Sequence, residues 1–75
     1  MPVLDEFEYT IKEIIFSQND IFKVELNWCK DLSELTMFVR KVEFELNIAK
    51  IKIKEQILIL NADKYEWILK INRKS

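Results

Sequence analysis

Histidine and glycine are both absent from the 75 residues, and these two absences remove more chemistry than any residue present supplies. Without histidine the chain lacks the side chain that most often serves as general acid, general base or transition-metal ligand near neutral pH. Without glycine there is no phosphate-cradling loop, dinucleotide fingerprint or serine nucleophile elbow, because each needs backbone that turns sharply or approaches a ligand closely. Cys29 would need a base beside it to act as a nucleophile; next to Trp28, at the end of an apolar run, it reads as a small core filler. Ser17 and Ser33 fall at an expected turn and helix start, where serine serves as a cap. Asp5, Glu6 and Glu8 have neither the spacing nor the glycine bend of a calcium loop. No cofactor and no metal is expected, and a chain this short offers little cleft for paired catalytic carboxylates. The expectation is a protein that is not an enzyme.

Two groups of residues suit binding rather than catalysis. Lys50, Lys52 and Lys54 alternate with Ile51 and Ile53, which in a strand places three ammonium groups on one face, with Arg40, Lys41, Arg73 and Lys74 to extend it. Small barrels hold single-stranded nucleic acid with such a basic track beside stacking aromatics, for which Trp28, Tyr65 and Trp67 are the candidates. All three aromatics lie in alternating apolar phases that favour the core, and Glu43 and Glu45 are placed to neutralise Lys54 and Lys52. The second group is Leu58, Leu60 and Ile68, which fall on the polar phase of their strands and together form an apolar patch for a protein partner or a second copy.

The charge that surrounds these groups is unevenly spread. Residues 1–36 hold eight acids against three bases, a balance of −5, and residues 37–75 hold nine bases against five acids, a balance of +4. Either the basic half presents a patch or the two halves attract one another within the fold. A lone cysteine forms no internal disulfide, acids interrupt the first twenty residues where a signal peptide would be apolar, and the longest apolar run is Ile57-Leu58-Ile59-Leu60. A cytoplasmic protein that does not cross a membrane is therefore expected. The abundance of Ile, Lys, Glu and Asn suggests an AT-rich genome, such as that of a low-GC bacterium or one of its phages.

The elements that must position these residues are read from periodicity. Apolar alternation marks Phe22 to Trp28, Val42 to Ile48, Tyr65 to Ile71, and Ile51 to Ile59 with Glu55 as its one exception. Read as a hairpin, 41–60 sets Glu45 against Lys52 and Glu43 against Lys54, with a turn at Asn47-Ile48-Ala49-Lys50. Asn19 and Asn61 supply further turns in place of glycine. Asp31 with Glu34 caps a short helix near 30–36. Segment 3–16 fits both periods and is read here as a strand.

The expected architecture is a single domain over 1–75, mostly β: a small antiparallel five-stranded sheet or barrel, with strands near 6–16, 20–28, 37–47, 50–60 and 64–72. The alternative is α+β, with helices at 3–16 and 31–40 against a three-stranded sheet. The expected function is a small non-enzymatic binding protein acting through protein–protein interaction or self-association as a homo-oligomer; a phage or mobile-element regulator fits that description. The alternative is a small β-barrel that binds single-stranded nucleic acid through Arg40, Lys50, Lys52 and Lys54 with Trp28 or Trp67 stacking on bases.

Overall fold

Two aspartates, each followed three residues later by a glutamate, start the two helices of the computed structural model, which describes residues 5–73. Asp5 caps α1 (Glu6–Phe16), its Oδ1 accepting from the Glu8 amide at 2.8 Å. Asp31 caps α2 (Leu32–Ile48) by accepting from the Glu34 amide at 2.9 Å, and the Glu34 carboxylate reaches back to accept from the Lys30 amide at 2.6 Å. Both caps satisfy amides that a first helical turn leaves without an intrahelical acceptor. Between the helices runs β1 (Ile21–Glu25), and after them come β2 (Lys52–Leu60) and β3 (Tyr65–Asn72).

This arrangement overturns the five-stranded sheet or barrel and fits the α+β alternative: two helices with an open sheet of three antiparallel strands. The strands expected near 6–16 and 37–47 are α1 and most of α2. On α2 the residues that reach the core are Leu35, Phe38, Val39, Val42 and Leu46, separated by three, four or one in the rhythm of a helical stripe. The alternation of Val42, Phe44, Leu46 and Ile48 is accidental, because Phe44 and Ile48 lie exposed on the outer side of the helix. The short helix expected near 30–36 is the start of a 17-residue one. For α1, the alternative's start at residue 3 lies outside the described residues, and Ile14 and Thr10 are its buried positions.

The Asn47–Lys50 segment is a helix end rather than a hairpin turn. The Ile51 amide donates to the Leu46 carbonyl at 2.9 Å and the Lys50 amide to Asn47 at 3.0 Å, with Lys50 in the left-handed region at φ 63°. That is the Schellman closure, here with lysine where glycine is usual. The pairings of Glu45 with Lys52 and Glu43 with Lys54 do not form; Glu43 instead accepts from Gln56 Nε2 at 2.8 Å.

The far end of α1 has no basic residue in its last turn, and Arg73 supplies one from beyond β3. Its guanidinium donates to the carbonyls of Ile14, Ile15 and Asn19. A cation at that terminus both satisfies orphan carbonyls and opposes the negative end of the helix dipole.

In the sheet, β3 is central and pairs antiparallel with β1 on one side and β2 on the other. β1 and β2 therefore run parallel, joined by α2, and β3 fills the gap between them. A hairpin connects β2 to β3, closed by mutual backbone hydrogen bonds between Asn61 and Lys64 at 2.9 and 3.4 Å. One face of the sheet meets the helices: Trp67, Leu69 and Ile71 of β3 and Phe22 of β1 join the helical stripes in one buried cluster. Trp67 is fully buried, and its Nε1 donates to Gln56 Oε1 at 3.0 Å, which links α2, β2 and β3 through a single amide side chain. Among the described residues no helix is long and apolar enough to cross a membrane.

Candidate functional site

Among the described residues the second face of the sheet carries no helix, and the register places three rows on it ahead of Lys52 and Asn72. Glu25, Glu66 and Ile59 form the first row; Lys23, Ile68 and Ile57 the second; Ile21, Lys70 and Glu55 the third. Isoleucines 57, 59 and 68 thus make one apolar patch at the β2 side, and charge occupies the β1 side. Lys23 and Lys64 lie 3.1 and 3.2 Å from Glu66 Oε2. Those hydrogen-bonded ammonium groups, Lys23 first, hold the Glu66 carboxyl below its ordinary value against the opposing effect of desolvation.

A one-residue irregularity in β2 created this patch. The pairing with β3 shifts between Ile53 and Glu55, leaving Lys54 as the extra residue of a bulge. Before it, Ile53 faces the core; after it the phase inverts, so that Ile57 and Ile59 face outward and Gln56, Leu58 and Leu60 face the helix side. Leu58 and Leu60 therefore do not join Ile68 on one face, as the sequence reading had them. They lie opposite Trp67 and Tyr65 and stay 42% and 49% exposed, so α2 leaves this half of β2 largely uncovered. Ile57 and Ile59 were missed because their odd phase was continued from Ile53. Glu55, the one charged residue in that phase, was the sign of the shift.

The outcome is an edge strand that is apolar on both faces. Among the described residues β2 is hydrogen-bonded to β3 alone, and from Gln56 to Leu60 it carries no charge. Edge strands are usually guarded by charge, shortness or proline, because their unpaired amides and carbonyls accept another strand. β1, the opposite edge, is guarded in that way: it has five residues, Lys23 and Glu25 among them. On β2 the corresponding charges, Lys52, Lys54 and Glu55, are confined to the first half and to the bulge.

The residues expected to hold nucleic acid are not brought together. Trp67 is enclosed in the core and offers no ring face to a base. Trp28 is partly exposed, packed edge-on against Phe38 at 5.0 Å near the start of α2. Lys50 and Lys52 lie beyond the other end of that helix, roughly 15–18 Å along its axis at 1.5 Å per residue. There they share a shallow cleft with Glu43, while Lys54 lines a different one with Asp20, Lys70 and Arg73. Arg40 is exposed on α2, and Arg73 is committed to the end of α1. Lys74 lies outside the described residues.

One larger open cleft, of about 770 Å³, lies between the starts of the two helices, with Phe7, Trp28, Met37 and Phe38 on its walls. Of its four carboxylates, Asp5, Asp31 and Glu34 are engaged as caps and Glu6 lies in the first turn of α1, and Lys41 already covers the Phe7 ring at 4.4 Å. Cys29 is buried, and burial first, then the nearby Glu34 and Asp31, pushes its thiol pKa up, which disfavours the nucleophilic thiolate. Among the described residues no three His, Cys, Asp or Glu side chains are grouped to hold a metal ion. No family model, curated protein or solved structure matches this chain.

Proposed function

We propose that this chain is a non-enzymatic binding protein that accepts an extended polypeptide segment along the outer edge of β2. The observation that carries this reading is the segment Gln56–Leu60: uncharged, at the edge of the sheet, with exposed apolar side chains on both faces. Main-chain hydrogen bonds to an added strand would satisfy its open amides and carbonyls, while Ile57 and Ile59 on one side and Leu58 and Leu60 on the other would bury apolar side chains of the incoming segment. The nucleic-acid reading has weaker support, since Trp67 is buried, Trp28 lies far from Lys50 and Lys52, and its lysines diverge.

The test is a titration of the isotopically labelled full chain with a peptide of the sequence 52–60, followed by amide chemical shifts. Strand addition should move the amides of 56–60 and leave those of α1 in place. Absence of any shift along β2 at millimolar peptide, in a sample dilute enough to sediment as one chain, would refute the reading.

A further inference from the structure

We infer that the strand received by this edge is β2 of a second copy, paired antiparallel about a two-fold axis at Leu58; the inference rests on the docking reading above. Residues directly opposite in an antiparallel pair lie on the same face. An axis perpendicular to the sheet, midway between a residue and its own copy, therefore keeps the two open faces together and the four helices together, and the two sheets join into one of six strands. With the axis at Leu58, that leucine meets its own copy on the helix side, Ile57 meets the second copy's Ile59 on the open side, and Gln56 meets Leu60. No charged residue falls within this overlap.

Neighbouring registers are worse. An axis at Ile57 sets Glu55 against Ile59, and one at Ile59 shortens the overlap to Leu58–Leu60, because β2 ends at Leu60. The bulge at Lys54 stops the pairing on the other side. Long-range repulsion between copies is small, since each carries a formal charge of −1. The pairing also closes: both β2 edges are consumed, and what remains outside is the short, charged β1 edge, which does not propagate a filament.

Sedimentation equilibrium of the full chain over a dilution series should give twice the 9.1 kDa of one chain at high concentration. Ile57→Lys, which places a charge in the overlap at a position already half exposed, should return the one-chain mass with an unchanged far-UV spectrum. For the register, Leu58→Cys in a Cys29→Ala background should oxidise to a covalent dimer, because directly opposite Cα atoms lie about 4.5–5.5 Å apart, within the disulfide range. Ile57→Cys in the same background should not, because its two copies would lie about 8 Å apart across the strand spacing and two residues of rise.

A one-chain mass at millimolar concentration overturns the inference. If that monomer still binds the 52–60 peptide, the docking reading stands and the partner is another polypeptide; if it does not, both fall. Species that grow without limit would indicate β1-to-β2 pairing and overturn the closed two-fold. A dimer that survives Ile57→Lys would place the interface elsewhere.

Discussion

Lys50 is the one described residue with positive φ, and replacing it by glycine should stabilise the protein. The left-handed conformation costs a residue with a Cβ about 1–2 kcal/mol, because the Cβ approaches the following carbonyl oxygen. Glycine removes that penalty but loses more backbone freedom on folding, which returns about 0.5–1 kcal/mol. The net expectation for Lys50→Gly is a gain of about 0.5–1 kcal/mol. At roughly 4–8 °C per kcal/mol for a domain of this size, the melting temperature should rise by about 3–6 °C. Lys50→Ala is the control: it removes the same charge while keeping the Cβ, and should leave stability close to that of the parent. Urea unfolding followed by far-UV circular dichroism gives the comparison, with a higher midpoint and an unchanged slope as the signature. All three proteins must be measured at one concentration, because self-association adds to apparent stability. If the glycine variant is no more stable than the alanine variant, the Schellman closure at Lys50 is not the strained element described here.

Three further outcomes follow from single side chains. Arg73→Ala should lower the unfolding free energy by about 1.5–3 kcal/mol, the range for hydrogen bonds that involve a charged group, and Arg73→Lys should recover only part of it because an ammonium cannot span three carbonyls from one plane; urea midpoints measure both. Glu66 has a folded pKa below its ordinary value, so its contribution is complete above the unfolded pKa and is lost as pH falls through the folded one; stability measured from pH 6 down to pH 2 should drop on that acid limb, and Glu66→Gln should flatten it. Cys29 should resist a thiol reagent at pH 8 until the chain is unfolded in denaturant, and rapid labelling of the folded protein would contradict its burial.

The parts of the fold that were legible in the sequence are those governed by local chemistry. β3 alternates, β2 ends in an apolar run, and the turn Asn61-Ala62-Asp63-Lys64 between them closes their hairpin. The Asp31 cap was legible for the same reason: a carboxylate three residues before a free amide is a local contact. Asp5 and Glu8 repeat the same pattern, and reading it there would have favoured the helix over the strand for 6–16. A window over 41–60 divides α2, separating Leu35, Phe38 and Val39 from Val42 and Leu46, and the helical stripe shows only when all five are taken together. Arg73 at the end of α1 was beyond reach for a different reason, since the contact spans 54 to 59 residues and has no local signature.

The candidate docking edge stands between these two cases. Period 2 identified β2, but assigning a face to each residue required the phase to be continuous, and a bulge is the one device that breaks phase without ending a strand. Its consequence goes beyond a misplaced label. In a β2 that kept Lys54 in the ladder, Ile57 and Ile59 would follow Ile53 and Glu55 onto the inner face, and Lys54, Gln56, Leu58 and Leu60 would face outward. With Lys54 left out of the ladder, the charges end at Glu55, and the uncharged segment after it turns isoleucine to the open face and leucine to the helix side. A strand built this way has a guarded half and an open half, and the open half is the length over which two copies overlap when Leu58 lies on the axis. Removing the bulge should therefore leave association in place: deleting Lys54 takes out the residue that the ladder omits, Glu55 stays opposite Lys70, and Ile57 and Ile59 keep the outer face. A Lys54-deleted chain that stays folded but sediments as one copy would refute the assignment of the overlap to Gln56–Leu60.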